Sequence, residues 1–521
     1  MAKKTFSRRG FMKLSSMATL PLTLGGFPLA THSRPRMLFD TENDKILVLV
    51  QLQGGNDGLS TLFHADQYAN LASVRNNILV PESSIINFTG DYGFHPVLTG
   101  FQDVWDNGNF GIVQNVGYPN QNRSHFRSSD IWHTASDADE YLSTGWIGRF
   151  YDIEYSSYPN GFPNGANPHP FALTMGNIIS ETCQGTNANY SLALADPFNP
   201  GSVLVGAGGN IPANCYGDAL SFVNDTAEQT NAYSTVISTA AGAGNNLSPK
   251  WANLETELAE KLKHVSRLIS GGLQTKVYIV QIGGFDTHDN QVVDGAPETG
   301  IHAELLQELS DAICAFQDDV ELLGVDDRVV GMTYSEFGRR IRSNAALGTD
   351  HGTAAPLFLF GSCIQNQILG DHPEIDTSVG IEDGVAMQFD FRNVYGTMLT
   401  HWLGADENEV QSNIYPDFEA LPLFKPSCAL VTETPEQEEF EVSLYPNPTA
   451  DVATLEFTGN DERTKIRLFD TIGSVVREIA NRPFPMVEQK LSIDLSDLSS
   501  GIYFLHVETK GSNFTKKLVR K

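Results

Sequence analysis

"TKVYIVQIGGFDTHDN", residues 275–290, begins as a run of β-branched and aromatic residues and then turns abruptly polar. Residues 277–282 are too uniformly apolar for a strand with one wet face. They predict a strand covered on both sides, as in a parallel sheet flanked by helices. The glycine pair 283–284 allows a sharp turn at the strand's carboxyl end, and Asp286 and His288 follow directly. If the backbone stays extended there, side chains at i and i+2 leave the same face and can meet one cation.

Similar runs recur along residues 45–426: "KILVLVQLQGG" (45–55), "FGIVQNVG" (110–117), "RVVGMTYSEFG" (328–338) and "PLFLFG" (356–361). Between them, residues 254–269 and 301–323 carry apolar residues at three- and four-residue intervals, the period of amphipathic helices. Buried strands separated by helices predict a doubly wound α/β domain with a largely parallel sheet over residues 38–430. Residues 154–250 break the rhythm with Gly, Asn, Pro and Ser, and read as an insertion with small strands over the sheet edge. An acidic, Pro-containing linker follows at 431–441, and residues 442–521 alternate apolar and polar residues between turns, predicting a small all-β sandwich.

A chain of 521 residues exceeds what one core usually serves, which agrees with two folded units. With 34 Lys+Arg against 63 Asp+Glu the net charge is −29, which excludes nucleic acid as an expected partner. The five cysteines, Cys183, Cys215, Cys314, Cys363 and Cys428, leave room for a disulfide but show no scaffold spacing. Residues 1–33 carry five Lys/Arg and no acid among the first 13, then a modestly apolar stretch, the layout of a signal peptide rather than a membrane span. Within them "SRRGFMK" (7–13) resembles the twin-arginine export signal, which implies export of a folded protein. No other run is long and apolar enough to be expected to span a bilayer.

In an open parallel sheet, functional groups gather beyond the carboxyl ends of the strands. Here those positions hold Asn56 and Asp57, Ser124 and His125, Asp286 and His288, and Glu336, while Asp350 and His351 precede the run at 356–361. Each has an ordinary explanation: Asp57 as a helix cap, Glu336 as a partner of Arg339 or Arg340, Asp350 and His351 as loop residues. Recurrence of carboxylate and imidazole at successive strand ends favours a metal site.

Over about residues 45–405 the sequence resembles the bacterial family known as domain of unknown function 1501. The resemblance lies in "QLQGGNDGLST", "YGFHPVL", "RSHFRSSDIW", "GWIGR", "GGFDTHDNQ", "SEFGRR" and "GTDHGTAAPLFLFG". That family is in turn similar to the alkaline phosphatase and sulfatase superfamily. The likeness implies an alkaline phosphatase-like fold, Asp57 as the first-strand metal ligand and Ser124 as nucleophile. It further implies that Arg123 and Arg127 hold an anionic ester and that His125 orients or assists Ser124. Asp286 and His288 match a ligand pair, and His351 the final imidazole with Asp350 beside it. Glu336 stands where the superfamily has an Asp-His dipeptide, but Phe337 follows it, so one imidazole is missing from the expected set. The C-terminal segment resembles the type IX secretion sorting domain through "YPNP" (445–448), "LSSGIYFLHV" (498–507) and "KKLVRK" (516–521), which implies a Gram-negative cell and an extracellular or outer-membrane surface location.

The expected function is a secreted hydrolase of sulfate or phosphate esters, small or glycan-borne, using a divalent ion with zinc, calcium and manganese all open. Its expected export partners are the twin-arginine and type IX machineries. The alternative is a non-catalytic surface or binding protein that keeps the fold; Phe337 and the absence of a sulfatase-type "CxPSR" favour it.

Overall fold

The computed structural model describes residues 23–24, 27–28, 44–201, 230–428, 443–458, 463–470, 475–485, 488–508 and 513–521. The twin-arginine element, the acidic linker and residues 202–229 of the expected insertion lie outside them. The chain forms two compact units, Met1–Leu430 and Val431–Lys521.

The larger unit is built on strands β1 (Ile46–Leu52), β2 (Phe110–Gly117), β3 (Ala172–Met175), β4 (Ser191–Leu194), β5 (Val277–Ile282), β6 (Val329–Tyr334), β7 (Arg339–Ser343), β8 (Thr349–His351), β9 (Ala355–Phe360), β10 (Ile368–Leu369) and β11 (Phe389–Asp390). Nine of these make one sheet in the order β10-β2-β9-β6-β1-β5-β3-β4, with β11 also pairing β2. The helices that concern the site are α1 (Tyr68–Arg75), α2 (Thr99–Asp106), α3 (His125–Thr134), α4 (Trp146–Glu154), α5 (Glu257–Ser270), α6 (Ile301–Leu322) and α7 (Phe391–Thr397).

Strand β1 explains why the apolar runs are uninterrupted. Ile46, Val48, Val50 and Leu52 face a core shared with α2, α5 and α6, whereas Leu47 and Leu49 face a second core with α3, α4 and α7. Since neither face meets water, neither tolerates the polar half of an alternating pattern. Helix α5 shows its sequence signals plainly: the Thr256 hydroxyl accepts from the Ala259 amide, Glu257 and Glu260 stand in the first turn and Arg267 in the last. Strands β3 and β4 come from within residues 154–250 and extend the sheet beyond β5 as parallel strands, rather than lying over its edge.

The sheet is mixed, because β9 runs antiparallel to both β6 and β2 while its other pairings are parallel. A parallel return needs a crossover, usually helical. Between β6 and β9 the chain makes only the antiparallel β7–β8 hairpin, so β9 enters the sheet from the edge where β6 left it. The residues just before β9 thereby join those just after β1, β5 and β6.

At the end of β1, Asp57 is fully buried and bonded to Arg75 of α1, with Nη1 3.0 Å from Oδ1 and 2.9 Å from Oδ2. Ser60 and Gln291 each donate to Oδ2 at 2.7 Å, and the Arg75 Nε and Nη2 donate to the carbonyls of Ile341 and Arg340 at 2.8 and 2.6 Å. Burial disfavours the Asp57 anion, but Arg75 and these donors outweigh it and hold the carboxyl below its usual range. Cys363 and Cys428 form a disulfide, and Cys183 and Cys314 are free and buried. No helix among the described residues is long and apolar enough to cross a membrane.

The smaller unit is all-β and antiparallel. Strands β12 (Ser443–Tyr445), β13 (Val452–Thr458) and β16 (Glu488–Asp494) form one sheet, and β14 (Arg463–Phe469), β15 (Val475–Pro483), β17 (Gly501–Glu508) and β18 (Asn513–Arg520) the other. Ala453, Leu455, Ile466, Leu468, Ile493, Leu505 and Leu518 fill the space between them.

Removing one partner of a buried ion pair leaves an uncompensated charge. Arg75→Ala is therefore expected to lower stability by about 3–5 kcal/mol. Chemical denaturation checks this, and the double change Arg75→Ala with Asp57→Ala should cost less than the single one.

Candidate metal centre

Beyond the strand ends, three imidazoles surround one carboxylate. Asp286 leaves the end of β5 through Gly283 and Gly284, His288 follows it, His125 opens α3, and His351 closes β8. His288 Nε2 lies 3.2 Å and His351 Nε2 3.1 Å from Asp286 Oδ1, and His125 Nε2 lies 3.3 Å from Oδ2. The two Nε2 atoms of His288 and His351 are 2.9 Å apart. His125, Asp286 and His351 form a group that could hold a metal ion.

Each ring is fixed from behind by its own acceptor. His351 Nδ1 lies 2.7 Å from the carbonyl of Arg123, which only accepts, so Nδ1 carries the proton and Nε2 the lone pair. Asp350 Oδ1 lies 2.8 Å from His288 Nδ1, and Glu336 Oε1 lies 2.9 Å from His125 Nδ1. Both carboxylates select the same tautomer. In their neutral form the three rings therefore turn Nε2 lone pairs toward an anionic oxygen pair, and the buried His125 Nε2 has no hydrogen-bond partner. This donor set fits a divalent cation, and carboxylate–imidazole pairs of this kind are the usual outer support of metal-bound histidine.

Arg339 forms the floor. Its guanidinium is buried and donates to Asp286 Oδ1 at 2.7 Å, to the carbonyls of Gly55, Phe285 and Thr349 at 2.8, 2.9 and 2.8 Å, and to that of Gly54. Burial opposes ionisation of Asp286, but the bond and the charge of Arg339 prevail and bring its pKa to about 2. His125 is raised, chiefly by its bond to Glu336, whereas burial lowers His351. Gly54, at φ +120°, presses on the next loop so closely that a Cβ would come within 2.2 Å of the Asp286 amide nitrogen. Its own amide donates to Glu336 Oε1 at 2.7 Å.

The expected residues divide into three groups. Asp286, His288 and His351 meet, and Glu336 and Asp350 stand behind rings rather than in the central group. Asp57 lies outside that group, its carboxylate engaged by Arg75. Arg127 is turned away, because the chain folds back at Ala135 (φ 55°) and lays the carbonyls of Asp137, Ala138 and Glu140 on its guanidinium. Ser124 is exposed at the head of α3, and its hydroxyl does not cap the helix. Phe337 packs against the rings of His125 and His351 at centroid distances of 5.0 and 4.6 Å. No imidazole stands at 337; the third ring beside Asp286 is that of His125, expected from the sequence only as an assistant to Ser124. Arg339 was also missed there; its one signal is an arginine directly after a strand-end glycine, in "SEFGRR".

No curated protein matches the sequence. Solved structures similar to the chain include the C-terminal periplasmic domain of EcEptC from Escherichia coli, at 9% identity over 74% of this chain and 90% of that one, with a TM-score of 0.34. A protein in the alkaline phosphatase superfamily from Vibrio parahaemolyticus has 9% identity over 93% and 86%, with a TM-score of 0.34. The alkaline phosphatase from the Antarctic bacterium TAB5 has 8% identity over 63% and 94%, with a TM-score of 0.26. Residues 264–413 match the family described as protein of unknown function (DUF1501), and residues 443–521 match the secretion system C-terminal sorting domain. The chain thus carries a DUF1501 segment in its larger unit and a secretion sorting domain in its smaller one.

Proposed function

We propose that the protein is an exported hydrolase of phosphate or sulfate esters with a single divalent ion held by His125, Asp286, His288 and His351. One observation carries this reading: three imidazole lone pairs, each fixed from behind, converge on one carboxylate. The sorting domain marks the chain for export. An imidazole-rich set suits zinc or manganese, whereas calcium takes oxygen ligands, so calcium drops from the three ions left open by the sequence. One ion rather than two is expected, because Arg75 already neutralises Asp57.

A divalent ion in this position would supply Lewis acidity toward an ester oxygen and ease ionisation of a nearby hydroxyl. The chain's own residues do the rest. Glu336 and Asp350 hold the rings in the tautomer that presents Nε2. Ser124, at the head of the ten-residue helix α3, is the proposed nucleophile, where free backbone amides favour developing negative charge. Phe337 excludes water from one side of the rings. A second reading, a surface binding protein without turnover, is favoured by the commitment of all three imidazoles to the ion, which leaves Ser124 without a neighbouring base.

Elemental analysis of the purified protein is expected to find one zinc or manganese per chain, lost in Asp286→Ala and kept in Ser124→Ala. Aryl phosphate or aryl sulfate hydrolysis should disappear in both variants. Protein that takes up no transition metal would overturn the proposal, and a loaded protein inert toward both esters would select the binding reading. Glu336→Gln replaces the anchor of His125 by a weaker acceptor and is expected to weaken metal affinity about 10- to 100-fold, read by competition with a chelating dye.

A further inference from the structure

The ester's anionic group loses one of its two expected holders, since Arg127 is spent on its own loop. Two other guanidinium groups flank the centre. The carbonyl of Arg123 supports His351, and Arg340 reaches the carbonyl of His351 through Nε and Asp350 Oδ2 through Nη1, both at 3.3 Å. Both side chains then turn to one exposed carboxylate, that of Glu382. Arg340 Nη2 lies 2.6 Å from Glu382 Oε2 and Nη1 3.1 Å from Oε1, while Arg123 Nη1 lies 3.7 Å from Oε2. Backbone carbonyls follow: Arg123 Nη1 donates to Glu382 O at 2.7 Å and Arg340 Nη1 to Ile381 O at 3.2 Å.

Resting on the proposed function, we infer that Arg123 and Arg340 form the tetrahedral-oxyanion subsite of the centre and that Glu382 fills it as an internal stand-in which a phosphate or sulfate ester displaces. A carboxylate set against a guanidinium fork presents two oxygens as one edge of a phosphate or sulfate does. Glu382 is 66% exposed, and exposed ion pairs contribute little, so displacement is easy. Only the tip needs to move. On either side of it Ile375 and Val385 are buried, and Ile341 and Ala354 donate backbone bonds to Asp383 and Val385 at 3.0 and 3.3 Å. The sign of the charge also depends on loading. Asp286, Glu336, Asp350 and Glu382 outnumber Arg123, Arg339 and Arg340, so the metal-free cluster repels an anion. A divalent ion reverses that balance, and withdrawal of Glu382 adds to the reversal.

The test titrates inorganic phosphate and inorganic sulfate by calorimetry into the full chain, with and without bound metal. In the loaded protein Glu382→Ala should tighten binding of at least one anion about three- to tenfold. Adding Arg340→Ala or Arg123→Ala in that background should remove the gain, with metal content unchanged. Equal anion affinity in wild type and Glu382→Ala would overturn the stand-in, and retained affinity in the arginine variants would overturn the subsite. Elemental analysis of the same samples reads the centre independently, so failure of the metal site is distinguished from failure of the latch.

Discussion

A single buried guanidinium holds the strand ends together. Carbonyls beyond the carboxyl ends of strands have left the sheet's ladder and need donors elsewhere. Arg339 supplies them to Gly54 and Gly55 after β1, to Phe285 after β5 and to Thr349 in β8, and adds a bond to Asp286. Three chain segments far apart in sequence are therefore tied to one side chain. The missing Cβ of Gly54 lets the β1 loop lie against the β5 loop, and Glu336 accepts from the Gly54 amide while holding His125. Geometry at the four donor residues follows from these contacts.

The apolar runs made the layered sheet legible because β1 feeds two cores at once, and the sandwich was legible from its alternation. The direction of β9 was not. "PLFLFG" reads the same whichever way it runs, and its direction follows from the length and hairpin content of the connection after β6. The site shows the same division. Asp286, His288 and His351 were readable as strand-end donors, but the role of His125 depends on Glu336 lying behind its ring, a contact across 211 positions. Arg127 misled because adjacency to Ser124 suggests anion binding, whereas the turn at Ala135 gives its donors other work.

Charge is distributed with economy. The chain has 34 basic residues against 63 acidic ones, and Arg75 and Arg339 are buried within the larger unit. One pairs with the strand-end acid Asp57 and the other with Asp286. Among the described residues the buried acids Asp57, Asp319, Glu336 and Asp390 match the buried Arg75, Arg127, Arg339 and Arg392 in number, so burial leaves the excess of acid on the outside, and small or singly esterified anions suit such a surface better than polyanions.

If the rings of His125, His288 and His351 hold an ion as proposed, their bracing by protein acceptors puts the cost of ordering them on folding rather than on ion capture. Such a pocket is a receptacle made in advance. In that reading filling is limited by access and supply, and loading after export would draw on whatever ion the outside medium offers.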